Sequence, residues 1–358
     1  MSAKDVPPAE IGPHAYIVAQ GSYHPSKCLT NAEMEKVVDT SDEWITTRTG
    51  IKQRYIAAEG EDVCCMASEA VKILLAKADA NATPVNTGAI DYVICATMTP
   101  DHIGSSVAVR VQQKLGLKGA AFDISAACSG YIYALQLAKA LLKSSLARSV
   151  LVIGAEKFSS FLDYTDRSTC VLFGDGASCS LVSSQEHLHE IFDSSSALPP
   201  LWRISFSSLY SDGKYYDALY IPGGGSQAPC RVDTIQSSTP YIQMRGQEIY
   251  KEAILAMASV SEEILRRAGL SIDQLDYFVP HQANSRIIES VARRLGLDMQ
   301  KCALTVQQYG NTSAASIGQA FAPIFLKGNR GDKALLVCFG AGLTWGGMLL
   351  ECRGTSIE

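Results

Sequence analysis

The sequence predicts an α/β fold built from two similar halves, and three observations predict it. Short apolar runs alternate with amphipathic ones, and the order of those runs recurs in the second half of the chain. The composition, 47% hydrophobic and 19% charged over 358 residues, suits a large core.

Taken in order, DYVICAT (91–97) has the continuous apolarity of a strand buried on both faces, and SSVAVRVQQKLG (105–116) has the period of a helix. AAFDI (120–124) is a second strand and GYIYALQLAKALL (130–142) a second helix. SVLVIGAE (149–156) and FGDGASCSLVSS (173–184) follow as strands, the latter entered through a glycine turn. The pattern then returns. AIDYVICAT (89–97) is matched by QLDYFVPHQ (274–282), and VQQKLGL (111–117) by VARRLGL (291–297). AAFDI is matched by CALTV (302–306), and SAACSG (125–130) by GNTSAAS (310–316). Spacing holds as well as order: Asp276 lies 185 positions after Asp91, and Gly296 lies 180 after Gly116. Residues 1–185 and 186–358 are therefore expected to form two α/β halves around a pseudo-two-fold axis. Residues 186–240, rich in Ser, Pro, Gly and Tyr, read as an inserted loop region.

A net charge of −5 argues against general nucleic-acid binding. MSAKDVPPAE lacks the apolar core of a secretory signal, and no run reaches the roughly 18 uncharged residues of a membrane helix. Eleven cysteines are scattered, and the pair at 64–65 has no partner pair at zinc-site spacing. Reduced thiols, no metal and a cytoplasmic location are expected.

Three residues fall where the repeat places strand ends and helix starts, where α/β folds commonly bind ligands. Cys128 begins a helix in the first half, where free N–H groups favour a thiolate and a developing oxyanion. His281 ends a strand in the second half, and Asn311 lies in the turn matching the cysteine turn. His and Asn can both donate hydrogen bonds to the enolate left when a β-keto acid loses CO₂. Asparagine cannot act as a base, so the set suits charge stabilisation. Taken singly, each has a plainer reading: a small buried thiol, a structural histidine, an N-cap asparagine. FGAGLTWGG (339–347) departs from the dinucleotide G-x-G-x-x-G pattern and reads as a turn between paired strands. It is either a simple tight turn or one whose backbone N–H approaches a ligand.

Six motifs in order, DTSDEWITTRTGI, AACSG, TDRSTCVLFGDGA, VPHQAN, GNTSAAS and FGAGLTWG, resemble those of the β-ketoacyl-acyl carrier protein synthase III enzymes. These are initiating condensing enzymes of thiolase fold, so the resemblance implies α-β-α-β-α layering and a homodimer. It implies that Cys128 takes an acyl group from coenzyme A and that His281 and Asn311 assist decarboxylative condensation with malonyl-acyl carrier protein. The backbone N–H groups of Cys128 and Ala341 would form the oxyanion hole. Trp44, Arg48 and Arg167 match residues holding the adenine end of coenzyme A, and Gly246, Tyr250 and Asn284 match the pantetheine channel. Lys251, Arg286 and Arg293 match a basic surface suited to an acidic carrier protein. Coenzyme A enters as a thioester substrate, with no permanently bound cofactor. Gly104 stands where many relatives place a bulky Phe that limits the acyl pocket from across the dimer interface, so primers longer than acetyl are expected. Ala341 stands where glycine is common. The alternatives are a related acyltransferase of secondary metabolism with another acceptor and a non-catalytic subunit of a heteromeric synthase.

Overall fold

The computed structural model describes residues 13–81, 83–192, 198–229, 231 and 240–355. The strands of its central sheet are β1 (Ala15–Tyr23), β2 (Tyr92–Ala96), β3 (Ala120–Ile124), β4 (Ser149–Glu156), β5 (Gly176–Ser184), β6 (Trp202–Ser211), β7 (Tyr277–Pro280), β8 (Lys333–Gly340) and β9 (Thr344–Cys352). The longer helices are α1 (Asp42–Thr49), α2 (Val63–Ala80), α3 (Val107–Leu115), α4 (Gly130–Lys143), α5 (Gly246–Ala268), α6 (Ser285–Leu295) and α7 (Ser316–Phe325).

Strand order is β7-β8-β9-β6-β1-β5-β4-β2-β3. Outward from β1 the pairings run antiparallel, antiparallel, parallel, parallel. Outward from β6 they run antiparallel, antiparallel, parallel, and a parallel bridge from Phe278 to Cys302 takes the place of the last pairing. The two halves thus repeat one topology. They join through the antiparallel pairs Tyr16–Arg203 and Ile17–Trp202, which make one continuous sheet of the two.

Apolar side chains sort the helices into layers. Residues of α2 and α3 cover one face of the first half, including Met66, Val71 and Val111. Those of α5 and α6 cover the outer face of the second, including Met257, Ile264 and Val291. Helices α4 and α7 lie between, and one core joins Tyr131, Leu135, Ile317 and Phe321 to strands of both halves. This is the five-layer thiolase fold, and its middle layer leaves little space. A Cβ on Gly154 in β4 would lie 2.4 Å from the Ala314 carbonyl oxygen, so strand and turn meet backbone to backbone.

The segment read as an inserted loop needs correction. Of residues 186–240, those at 193–197, 230 and 232–239 lie outside the described residues. The remainder contains β6, a ten-residue strand of the central sheet. Trp202 and Ile204 point into the middle layer, but four serines in WRISFSSLYS and its neighbours dilute the apolar signal. The ten described cysteines are free thiols, and no described helix is long and apolar enough to cross a membrane.

Gly154→Val should cost about 1–3 kcal/mol by overpacking β4 against the Ala314 turn. Urea denaturation of wild type and variant measures the loss.

Candidate active site

The turn before α4 places Cys128 in the middle layer, 4% exposed. Ala127 takes φ = 50°, a left-handed conformation uncommon for a residue with a Cβ. Thr344 and Ser129 clamp the turn to the β8–β9 hairpin: Ser129 Oγ donates to the Thr344 carbonyl at 2.9 Å, and Thr344 Oγ1 donates to the Ala126 carbonyl at 3.0 Å. Gly340 completes the seat. A Cβ there would lie 2.8 Å from the Cys128 amide nitrogen, so glycine lets the strand end touch the turn. Ala341 is buried beside it without a positive φ. The left-handed position of the hairpin is Gly342, at φ = 125°, which is why alanine fits at 341.

His281 follows β7. Its N–H donates to the Val337 carbonyl at 2.8 Å, and Nδ1 lies 2.7 Å from Ser316 Oγ. Burial pushes its pKa down to about 3, so the ring is neutral at neutral pH. Ser316 Oγ accepts from Gln282 N–H at 3.4 Å, which leaves its own proton to donate to Nδ1; in that tautomer Nε2 carries the ring proton and is a donor.

Asn311 is held by its backbone: its N–H donates to the Leu172 carbonyl at 2.8 Å, and its carbonyl accepts from Gly174 N–H at 3.0 Å. The side-chain Oδ1 accepts from Ser313 N–H at 2.9 Å, which leaves the NH₂ group to donate elsewhere. The LFGD segment that holds it is itself anchored. Arg54, fully buried, donates to the Val171 carbonyl at 2.7 Å and to Asn31 Oδ1 at 2.8 Å. Asp175 accepts from Ala57 N–H at 2.8 Å and Ser159 Oγ at 2.6 Å.

Cys128, His281 and Asn311 line a single cavity of about 380 Å³. Phe173, Leu219, Met244, Ile249 and Met257 give it apolar walls, and Gly246, Tyr250 and Asn284 line it too. Trp44, Arg48 and Arg167 also line it, with both arginines solvent-exposed. The Arg48 and Arg167 guanidinium carbons lie 5.6 and 5.1 Å from the Trp44 ring centroid, which gathers two positive charges around one aromatic ring. Asn284 caps α6 through Arg286 N–H and donates to the Arg48 carbonyl at 3.2 Å, tying that cationic corner to α6. Lys251, Arg286 and Arg293 are exposed on α5 and α6, with Arg286 5.9 Å from the Tyr250 ring. Gly104 lies in an exposed bend before α3 at φ = 95°, where an added Cβ would meet nothing. It does not line the cavity within one chain; the large exposed apolar side chain of that bend is Ile103, 84% exposed.

The electrostatics correct one expectation. Burial pushes the Cys128 thiol up to about 12, and the charge of Glu156 adds to the rise, while a hydrogen bond from Ser313 opposes it. The helix N-terminus does not make a resting thiolate here, because the same turn that supplies N–H groups removes water. Away from the cavity, Asp62, Cys64 and Asp101 approach one another at metal-ligand separations, but Arg110 pairs with both carboxylates.

Four residues escaped the sequence reading: Glu156, Ser313, Ser316 and Gly340. One signal was available, since SVLVIGAE ends an apolar run on a carboxylate that is wholly buried.

Fold and cavity together define a class, the acyl-transferring condensing enzymes of thiolase fold. The chain matches family models described as 3-oxoacyl-(acyl-carrier-protein) synthase III over residues 122–197 and as its C-terminal region over 265–352. It is 43% identical over 335 residues to the β-ketoacyl-(acyl-carrier-protein) synthase III of Aliarcobacter butzleri, covering 92% of this chain and 96% of that one. Against the protein of that name from Campylobacter curvus it is 44% identical over 345 residues, covering 95% and 97%. The crystal structure of 3-oxoacyl-(acyl-carrier-protein) synthase III from Aquifex aeolicus superposes with a TM-score of 0.81 at 42% identity, covering 94% of this chain and 99% of that one. The chain belongs to the β-ketoacyl-(acyl-carrier-protein) synthase III family.

The depressed His281 pKa has a consequence for stability. Its contribution is full above the ordinary value of 6.5 and is lost as pH falls towards 3, because only the unfolded chain takes up the proton. His281→Asn should therefore unfold with a flatter pH dependence between 6.5 and 3 than wild type, as read by urea denaturation at stepped pH.

Proposed function

We propose that the protein primes type II fatty acid synthesis, taking an acyl group from acyl-CoA onto Cys128 and condensing it with malonyl-acyl carrier protein. The observation that carries this reading is the shared cavity, in which a cysteine, a neutral histidine and an asparagine amide lie beyond an aromatic–arginine corner. The curated relatives named as acyl-carrier-protein synthases favour that acceptor over one from secondary metabolism. A non-catalytic subunit would have no use for the full set.

In the first half-reaction the thiolate of Cys128 attacks the thioester, with the Cys128 and Ala341 backbone N–H groups receiving the oxyanion. Coenzyme A leaves as its thiol. Trp44, Arg48 and Arg167 would hold the nucleotide end, and Gly246, Tyr250 and Asn284 the pantetheine arm. In the second, malonyl-acyl carrier protein loses CO₂. The resulting enolate is stabilised by hydrogen bonds from His281 Nε2 and the Asn311 amide, and its carbon attacks the acyl-cysteine. A neutral histidine suits this role, because it donates without adding a charge that would hold the carboxylate in place. Lys251, Arg286 and Arg293 would steer the acidic carrier protein to the cavity mouth. The protein would work in the cytoplasm as a homodimer, with Gly104 at the partner's acyl pocket leaving room for primers longer than acetyl.

Intact-protein and peptide mass spectrometry after incubation with acetyl- through dodecanoyl-CoA tests the first half-reaction. Labelling should be confined to the Cys128 peptide, absent from Cys128→Ala, and should extend beyond acetyl. His281→Ala and Asn311→Ala should still acylate, while condensation falls by about 10²–10³. Loss of Cys128 acylation itself in either variant would overturn that division. Arg286→Glu should raise KM for malonyl-acyl carrier protein several-fold more than KM for acyl-CoA; equal effects would argue against docking there.

A further inference from the structure

Glu156 is the last residue of β4 and is fully buried. Its Oε2 accepts three hydrogen bonds, from Thr99 Oγ1 at 2.7 Å, Met98 N–H at 3.0 Å and Thr97 Oγ1 at 3.2 Å. These three donors sit on one short segment after β2 and hold the carboxylate still. Oε1 faces the other half of the molecule, where it accepts from the Ser313 hydroxyl at 3.1 Å. Neither Glu156 nor Ser313 lines the cavity.

Ser313 in turn holds Asn311. The bonds of Asn311 to the Leu172 carbonyl and Gly174 N–H fix its main chain, but they leave the side-chain amide free to turn about its last bond. That torsion has two settings half a turn apart. One presents the NH₂ group to the cavity, and the other presents the carbonyl oxygen, which would repel an enolate. Ser313 N–H, 2.9 Å from Oδ1, decides between them, because a backbone N–H can face only an acceptor. The N–H is aimed by the left-handed backbone of Ser313 (φ = 48°), a conformation uncommon for a residue with a Cβ. In the matching turn Ala127 keeps that conformation without a hydroxyl, but there Thr344 Oγ1 grips the adjoining Ala126 carbonyl. The hydroxyl next to Ser313 is directed elsewhere, since Thr312 Oγ1 donates to Gln319 Oε1 at 2.7 Å. The grip on the second turn is therefore the bond from Ser313 to Glu156.

We infer that Glu156 is a positioning residue for decarboxylation: through Ser313 it sets the Asn311 amide with its NH₂ group toward the substrate. The inference rests on the acyl-cysteine and enolate reading above and deepens it at the same site. Glu156 touches no reacting atom, and its effect passes through a single backbone N–H. The first half of the chain thereby orients a donor carried by the second, as Asn311 does not share a segment with the carboxylate that sets it.

The test starts from the acyl-enzyme, so that it reads the second half-reaction alone. Full-length protein is acylated with excess acetyl-CoA, checked by intact mass, freed of coenzyme A and mixed with malonyl-acyl carrier protein while CO₂ release is followed. Ser313→Ala should lower the saturating rate about tenfold, the weight of roughly one net hydrogen bond, with the half-saturating carrier-protein concentration changed by less than about twofold. Glu156→Gln should lose no more than Ser313→Ala. Met98 N–H can face only the glutamine oxygen, so the new NH₂ group falls to Ser313 Oγ and keeps the link. In an Asn311→Ala background neither substitution should slow the reaction further, because the amide they set is gone. A general loosening of the site would slow both backgrounds alike. Losses that multiply with Asn311→Ala, an unchanged rate in Ser313→Ala, or a larger loss in Glu156→Gln would each overturn the inference and leave the functional reading standing. A wild-type protein that does not acylate, or whose acyl-enzyme releases no CO₂, would overturn both.

Discussion

The apolar layer that α4 and α7 share is the constraint on which the rest of the structure depends. Both helices are buried against strands of both halves, so neither can shift along its axis without opening a void on two sides. Their N-terminal turns therefore meet at one place. Gly130 packs against the methyl groups of Ala96 and Ala314, and Gly154 against the Ala314 backbone, so glycines bring the turns into close contact. Polar groups trapped there must find partners within the protein, since each one left unpaired costs about 1–3 kcal/mol. The pairing of Asn311 with Leu172 and Gly174, and of Glu156 with two threonines, a backbone N–H and Ser313, answers that demand.

Burial also sets the protonation states. It pushes the Cys128 thiol and the Glu156 carboxyl up and the His281 imidazole down, so each group favours its neutral form. The direction for Glu156 means that its contribution to stability is full below the ordinary carboxyl value of 4.5. It is lost as pH rises through about 7, opposite to that of His281. A site with little resting charge accepts an uncharged thioester readily, and charge appears only where donors already stand. The cationic groups are kept at the exposed end, on Trp44 and along α5 and α6, where solvent screens them.

Much of this was legible in the chain because the repeat carries positional information. Cys128, His281 and Asn311 are individually ordinary, yet matched turns placed all three at strand ends, and all three line the cavity. Strand β6 was not legible, because only Trp202 and Ile204 are buried apolar residues and four serines follow them in a stretch that reads as loop. Glu156 and Ser313 were missed for another reason: they are 157 positions apart, and only tertiary packing makes them partners. The thiol pKa went astray because a helix start says nothing of how much water the surrounding layers exclude.

The repeat also explains how two like turns come to do different work. Ala127 and Ser313 occupy equivalent positions, each with a left-handed φ near 50°, each leading into a central helix. Cys128 is then the counterpart of Ala314, and Ser313 that of Ala127. Where one turn carries its sulfur into the cavity, the other carries only a methyl group, buried in the packing around Gly130 and Gly154. Where the first turn carries a methyl group, the second carries a hydroxyl that reaches across to Glu156 in the first half. The backbone geometry is held in common, and the chemistry is divided between halves by exchanging single small side chains.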